Sequence, residues 1–230
     1  LNCMAATGLI LLAGCSDPQN IEPGRHAKPV HDADYQRPPA NPLKNAYFGE
    51  THVHTTYSMD ANLFGTRNDP RMAYRFAMGE EILLPESKQR QRLKVPLDFA
   101  AVTDHAEGLG MFEQCNNPVS QNYHSLDCYG MRFKLVLMFK RLIAASKQAG
   151  VEKGRYNEAV CGETGLLCRT SAKDIWQDIQ DAANEYNQPG KFTTFLGFEY
   201  SPMLNMSGMR HRNVIVSGSK APDRVSSAFE

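Results

Sequence analysis

Residues 46–61 read AYFGETHVHTTYSMDA. Tyr47 and Phe48, then Thr51 and Val53, are bulky or β-branched, so the segment reads as a short strand. Side chains alternate between faces along a strand, which puts Glu50, His52 and His54 on one side. Three ligand-type side chains on one face, at the end of a strand, are a donor set that can open a metal site. The turn that follows adds Ser58 and Asp60 within reach of the same space.

A His-x-His pair also arises by chance on a solvated strand face. Three further stretches weigh against chance by repeating the arrangement. Residues 97–107, LDFAAVTDHAE, form an apolar run that ends abruptly in Asp104-His105. Residues 192–200, FTTFLGFEY, end in Gly197-x-Glu199, and in residues 210–216, RHRNVIV, His211 opens a β-branched strand. Four strand ends that each offer a histidine or a carboxylate imply one shared site.

The order of these stretches, HVHTTYSMDA, AVTDH, GFE and HRNVIV, resembles the successive metal-binding motifs of the PHP (polymerase and histidinol phosphatase) superfamily. The phrase FGETHVHTTYS is similar to a large bacterial branch of it, the domain-of-unknown-function family 3604. The resemblance covers residues 45–216. It implies an α/β fold, a distorted (β/α)7 barrel, and a metal-dependent hydrolase, commonly a phosphoesterase, with two or three divalent ions. Two departures stand out. The Ser-Asp-Gly that usually follows the histidine pair reads Ser58-Met59-Asp60-Ala61, one residue longer. The late Asp-x-His motif does not occur before Glu230, and none of the seven histidines follows His211. The expectation is a barrel incomplete at the C-terminus of this chain.

On this reading His52, His54, His105, Glu199 and His211 are metal ligands. Asp60 and Asp104 join them as further ligands or, with Glu50, as carboxylates on the histidines' other ring nitrogens. His52, His54, His105 and Glu199 carry the catalysis, with metal-activated water as nucleophile. Imidazole and carboxylate together suit zinc, manganese or iron, whereas calcium prefers oxygen alone. Two rivals remain open: an amidohydrolase-type enzyme acting on C–N or C–O bonds, and a lipoprotein that binds metal without turnover.

Residues 4–15, MAATGLILLAGC, end in Leu-Ala-Gly-Cys and resemble the lipobox of bacterial lipoproteins. The run is too short to span a bilayer but suits a signal-peptide core; a buried amino-terminal helix is the alternative. The expected organisation is a signal peptide over 1–15 with lipidation at Cys15, a proline-rich tether over 16–45, and the hydrolase domain over 46–230. The tether histidines His26 and His31 read as solvated. Such a protein is exported, periplasmic or at the outer membrane, and meets the membrane through its lipid anchor.

Lys+Arg and Asp+Glu stand at 25 each, so no net charge draws the chain to nucleic acid. A small-molecule (phospho)ester is the expected substrate. In an oxidising compartment Cys115, Cys128, Cys161 and Cys168 are disulfide candidates, and the sequence leaves their three pairings open. Their spacing does not match a structural zinc site.

Asp69-Pro70 predicts a helix start, with Gly79 as its end and Arg71 and Arg75 on a solvated face. Residues 80–96 read as charged and, near Pro85, unfavourable to helix; residues 106–129 read as a long irregular loop, and His124 as a surface residue. Helices are expected over 131–149 and from a Ser171 cap to Pro189-Gly190, with Trp176 at an edge. Strands alternating with helices predict a parallel sheet.

Overall fold

The computed structural model describes residues 41–85, 87–133, 157–202, 210–218 and 221–227. Cys15, the signal segment, most of the tether and the expected helix beyond Phe133 lie outside them.

Four strands form the main sheet: β1 (Gly49–Val53), β4 (Phe99–Val102), β5 (Thr193–Tyr200) and β6 (Arg212–Val216), in that spatial order. β1, β4 and β5 are mutually parallel, as the alternation of strands and helices predicts. β6 is not; it runs antiparallel to β5. The reason is the length of the connection, residues 201–211, which falls short of the dozen or more residues that a parallel crossover needs. The fold is mixed α/β with a sheet that is mostly parallel and, among the described residues, open.

The sheet is strongly curved. In a flat sheet β1 and β6 would lie three strand spacings apart, about 14 Å. Instead the Asn213 amide of β6 donates to the carbonyl of Thr51 in β1 at 2.9 Å. The ladder's register breaks between Glu50 and Val53, the stretch that holds this carbonyl, and Thr103 Oγ1 also donates to it, at 3.3 Å. Gly197 allows the close approach on β5, since a Cβ there would sit 2.9 Å from the Val214 carbonyl and from Ile215.

Helix α1 (Met59–Phe64) follows β1, and α2 (Pro70–Ala77) starts where Asp69-Pro70 predicts. Asp69 accepts from the Met72 N–H at 2.8 Å. Arg71 departs from the expected solvated face. It is buried and pairs with Asp178 at 2.8 Å and Glu185 at 2.9 Å, fastening α2 to the long helix behind the sheet.

The segment unfavourable to helix forms a hairpin, and the segment expected to be irregular holds helices. β2 (Ile82–Leu84) and β3 (Gln89–Gln91) form a separate antiparallel hairpin. Within 106–129 lie α3 (Leu109–Asn116) and the start of α4 (Leu126–Arg132), the latter capped by Ser125 on the Cys128 N–H. Gly110, which reads as a loop residue, is a helix contact: a Cβ there would meet the Cys168 carbonyl at 1.8 Å. After α5 (Glu158–Cys161), the long helix α6 (Leu166–Tyr186) begins five residues before Ser171. Ser171 caps nothing and instead accepts from the Gln114 amide of α3 at 2.6 Å.

Two apolar clusters result. The larger packs Tyr74, Ile175, Ile179, Ala182 and Ala183 against Ala100, Val102 and Leu196 of the sheet. Trp176 belongs to it and is fully buried, not at an edge; its Nε1–H donates to the Pro222 carbonyl at 2.7 Å. The smaller surrounds two disulfides, Cys115–Cys128 and Cys161–Cys168, so the cysteines pair locally. No helix among the described residues is long and apolar enough to cross a membrane.

Candidate metal centre

Parallel strands deliver their carboxyl ends to one edge of the sheet. β1 brings His52 and, one residue beyond its end, His54; β4 brings Asp104 and His105; β5 brings Glu199. Because β6 is antiparallel, the residue before its start arrives at the same rim, and that residue is His211. Backbone bonds lock the rim, with Glu199 N–H donating to the Asp104 carbonyl at 3.0 Å and Ala106 N–H to the Glu199 carbonyl at 2.9 Å.

The fully buried Glu199 carboxylate is the hub. Its Oε2 lies 2.8 Å from Nε2 of both His52 and His54. Its Oε1 accepts from Ser201 Oγ, makes a short contact with His211 Nδ1, and lies 3.7 Å from His105 Nδ1. Asp60 sits on the far side of His54, with both oxygens near Nδ1 at 2.9 and 3.0 Å, and one of them 3.5 Å from His105 Nε2. The donors form three overlapping groups: His52, His54 and Glu199; His54, Asp60 and His105; His105, Glu199 and His211. In each, the donor atoms lie within 4.8 Å of one another.

The electrostatics fit a site built around positive charge. Burial alone would lower the His105 pKa, but Asp60, Glu107 and Glu199 overrule it and raise it to about 10. His54 is raised by Asp60 against the same burial effect. Burial would raise Glu199, yet its bonds from Ser201 and His211 and the charge of His105 bring it down to about 2. Asp60 is likewise held far below the usual carboxylate range, against its burial, by His105, His54 and Ser58. Two nitrogens in the cluster, His54 Nε2 and His105 Nδ1, are buried with no hydrogen-bond partner. His54 Nε2 is close to Glu199 but off the line that a hydrogen bond needs. Orphaned imidazole nitrogens that converge on a carboxylate fit a divalent cation, which needs lone pairs and no bridging proton.

A family described as "Protein of unknown function (DUF3604)" matches residues 41–230. The chain belongs to that family. No curated protein and no solved structure matches it.

In this DUF3604 chain, the residues singled out from the sequence separate into two sets. His52, His54, Asp60, His105, Glu199 and His211 converge. Asp104 does not point at them: fully buried, it accepts from Thr55 N–H at 2.5 Å and Thr55 Oγ1 at 2.7 Å, and its burial raises its pKa to about 6. Glu50 also turns away, accepting from the N–H groups of Thr51 and His52 at 2.9 Å each. His124 is exposed and apart.

Sequence reading passes over three residues at the site. Glu107 is buried with an oxygen 3.6 Å from His105 Nδ1. Ser201 supports Glu199 and contacts His211 Nδ1 at 3.0 Å. Thr55 holds Asp104 in place. Glu107 and Ser201 each stand two residues after a ligand candidate, and that spacing is the signal that could have found them.

Proposed function

We propose that this chain is a metal-dependent hydrolase, a phosphoesterase that uses two or three zinc, manganese or iron ions. One observation carries the reading: the single buried Glu199 carboxylate presents one oxygen to His52 and His54 and the other to His105 and His211. A carboxylate between two sets of imidazoles is suited to hold two cations close together. Cations so placed supply Lewis acidity that polarises a substrate oxygen and lowers the pKa of water.

The chain's own residues do the rest. Asp60 accepts the Nδ1 proton of His54, which leaves Nε2 as the donor atom. Ser201 orients Glu199. His105 and Glu199 are sealed from solvent, whereas His52 and His211 are about half exposed, at 49% and 46% of their side chains. The substrate therefore approaches over these two rings.

The PHP-like (β/α)7 barrel goes with this proposal. Three parallel strands with donors at their carboxyl ends, and curvature that joins β6 to β1, are features such a barrel requires. So does export as a lipoprotein anchored through Cys15 to the periplasmic face of a membrane or the outer membrane. Two disulfides are compatible with an oxidising compartment. The proposed substrate is a small phosphoester rather than a nucleic acid, in keeping with the balanced charge.

The test is elemental analysis of the chain from Ser16 onward beside a His52→Ala/His54→Ala variant, then a phosphoester panel with each of the three metals. Bound ions in the parent, lost in the variant, together with turnover, support the proposal. A parent that takes up none of the three metals overturns it. Retention of metal without turnover of any ester favours metal binding without catalysis.

A further inference from the structure

Ser58 is the N-cap of α1, in extended conformation with φ −76° and ψ 136°, yet its hydroxyl bonds none of the helix's own N–H groups. A serine in this place ordinarily accepts from the second or third helical N–H, a bond worth about 1 kcal/mol. Here the side chain is fully buried and faces the histidine cluster. Its Oγ donates to Asp60 Oδ1 at 2.7 Å. It accepts from the backbone N–H of His105 at 3.2 Å, and lies 3.2 Å from Nδ1 of His54.

A hydroxyl offers one proton and two lone pairs. With the proton on Asp60, both lone pairs face nitrogen: the His105 amide and His54 Nδ1. Both lone pairs are matched when His54 carries its proton on Nδ1, so that Nε2 keeps its lone pair on the side of Glu199. Both oxygens of Asp60 require the same tautomer. One hydroxyl thus touches three of the converging residues and gives up its usual cap to do so.

Resting on the metal-dependent reading above, we infer that Ser58 is a positioning residue: its hydroxyl holds Asp60 against the His54 ring, so that the Nδ1–H tautomer Asp60 requires is kept and Nε2 faces a cation. The same hydroxyl ties Asp60 and the His105 backbone to that ring. A serine buried only to fill the turn would affect stability and leave both tautomer and metal affinity unchanged.

The test compares the parent with Ser58→Ala and Ser58→Thr, each first checked for fold by circular dichroism. Two quantities are read: the His54 tautomer of metal-free protein, from nitrogen-15 shifts at a pH where the ring is neutral, and cobalt(II) affinity with its visible spectrum. The expected result for Ser58→Ala is a mixture of tautomers, about 10- to 100-fold weaker cobalt binding and an altered spectrum. Ser58→Thr, which keeps a hydroxyl, retains the single tautomer and most of the affinity. A Ser58→Ala protein that matches the parent in both quantities overturns the inference. If Ser58→Ala does not fold, Ser58→Cys, which keeps the shape but offers only a weak donor and acceptor, is read in its place with the same two outcomes. A parent that binds no cobalt, zinc, manganese or iron overturns the hydrolase reading by itself, and the tautomer measurement on metal-free protein still decides the role of Ser58.

Discussion

His54 Nε2 and Glu199 Oε2 stand 2.8 Å apart, both buried, without the alignment of a hydrogen bond. The contact joins the end of the first strand to the end of the third parallel one, and the Glu199 oxygen in it is shared with His52. Replacing Glu199 with glutamine keeps the shape and removes the charge that both histidine sets face. Loss of a supporting partner outside the donor set already weakens metal binding about 10- to 100-fold. Glu199→Gln should therefore weaken zinc or manganese binding by more than about 100-fold, read by titration of metal-free protein. Equal affinity in parent and variant would remove Glu199 from the centre.

Protons and cations compete for the same atoms, so metal uptake should tighten as pH rises and should release protons. The release is measurable by calorimetry in buffers of different ionisation enthalpy. Metal-free protein should show the opposite trend in stability. The His105 pKa is raised from 6.5 to about 10, so the stability it contributes is full below 6.5 and lost as pH climbs through 10. The melting temperature of metal-free protein should fall between pH 7 and pH 10, and the part due to His105 should vanish in His105→Gln.

Asp104 gives a contrasting test. Its folded pKa is raised from 3.8 to about 6 by burial, so its charge costs stability above pH 6, and that cost is relieved below 3.8. Asp104→Asn keeps an acceptor for the Thr55 N–H and carries no charge. Its stability relative to the parent should be greater at pH 8 than at pH 4. Asp104→Ala leaves the buried Thr55 N–H without its partner and should cost about 1–3 kcal/mol. Urea unfolding at both pH values decides.

The two disulfides close loops of different length, with sequence separations of 13 and 7. Chain entropy assigns about 3 kcal/mol to the longer and about 2 kcal/mol to the shorter. Serine pairs at Cys115/Cys128 and at Cys161/Cys168 should destabilise in that order, measured by denaturant midpoints. Met59 and Leu63 of α1 pack on this cluster while Asp60, between them, faces the histidines. Removal of the Cys115–Cys128 bridge should therefore also weaken metal binding. Unchanged affinity would show that α1 holds Asp60 without the bridge.

Short-range patterns in the chain by themselves determined the four strands of the main sheet and the residues at their ends. Alternation marked β1, apolar runs marked β4 and β5, and Asp69-Pro70 marked α2, because each signal lies within a few residues. Those signals brought out the six converging side chains. The tertiary structure decided what depends on distant partners. Gly110 became a helix contact because α6 passes over it, and α6 began before Ser171 because its first turn is tied to Cys161. The direction of β6 followed from a short connection. Asp104, next to His105, and Asp60, six residues after His54, both read as candidate ligands and were separated by burial: one was claimed by Thr55, the other by His54. The break in β1 and the curvature of the sheet put one Glu199 oxygen before His52 and His54 and the other before His105 and His211. Such a choice of partner is made by backbone geometry over the whole sheet, and no local run of residues encodes it.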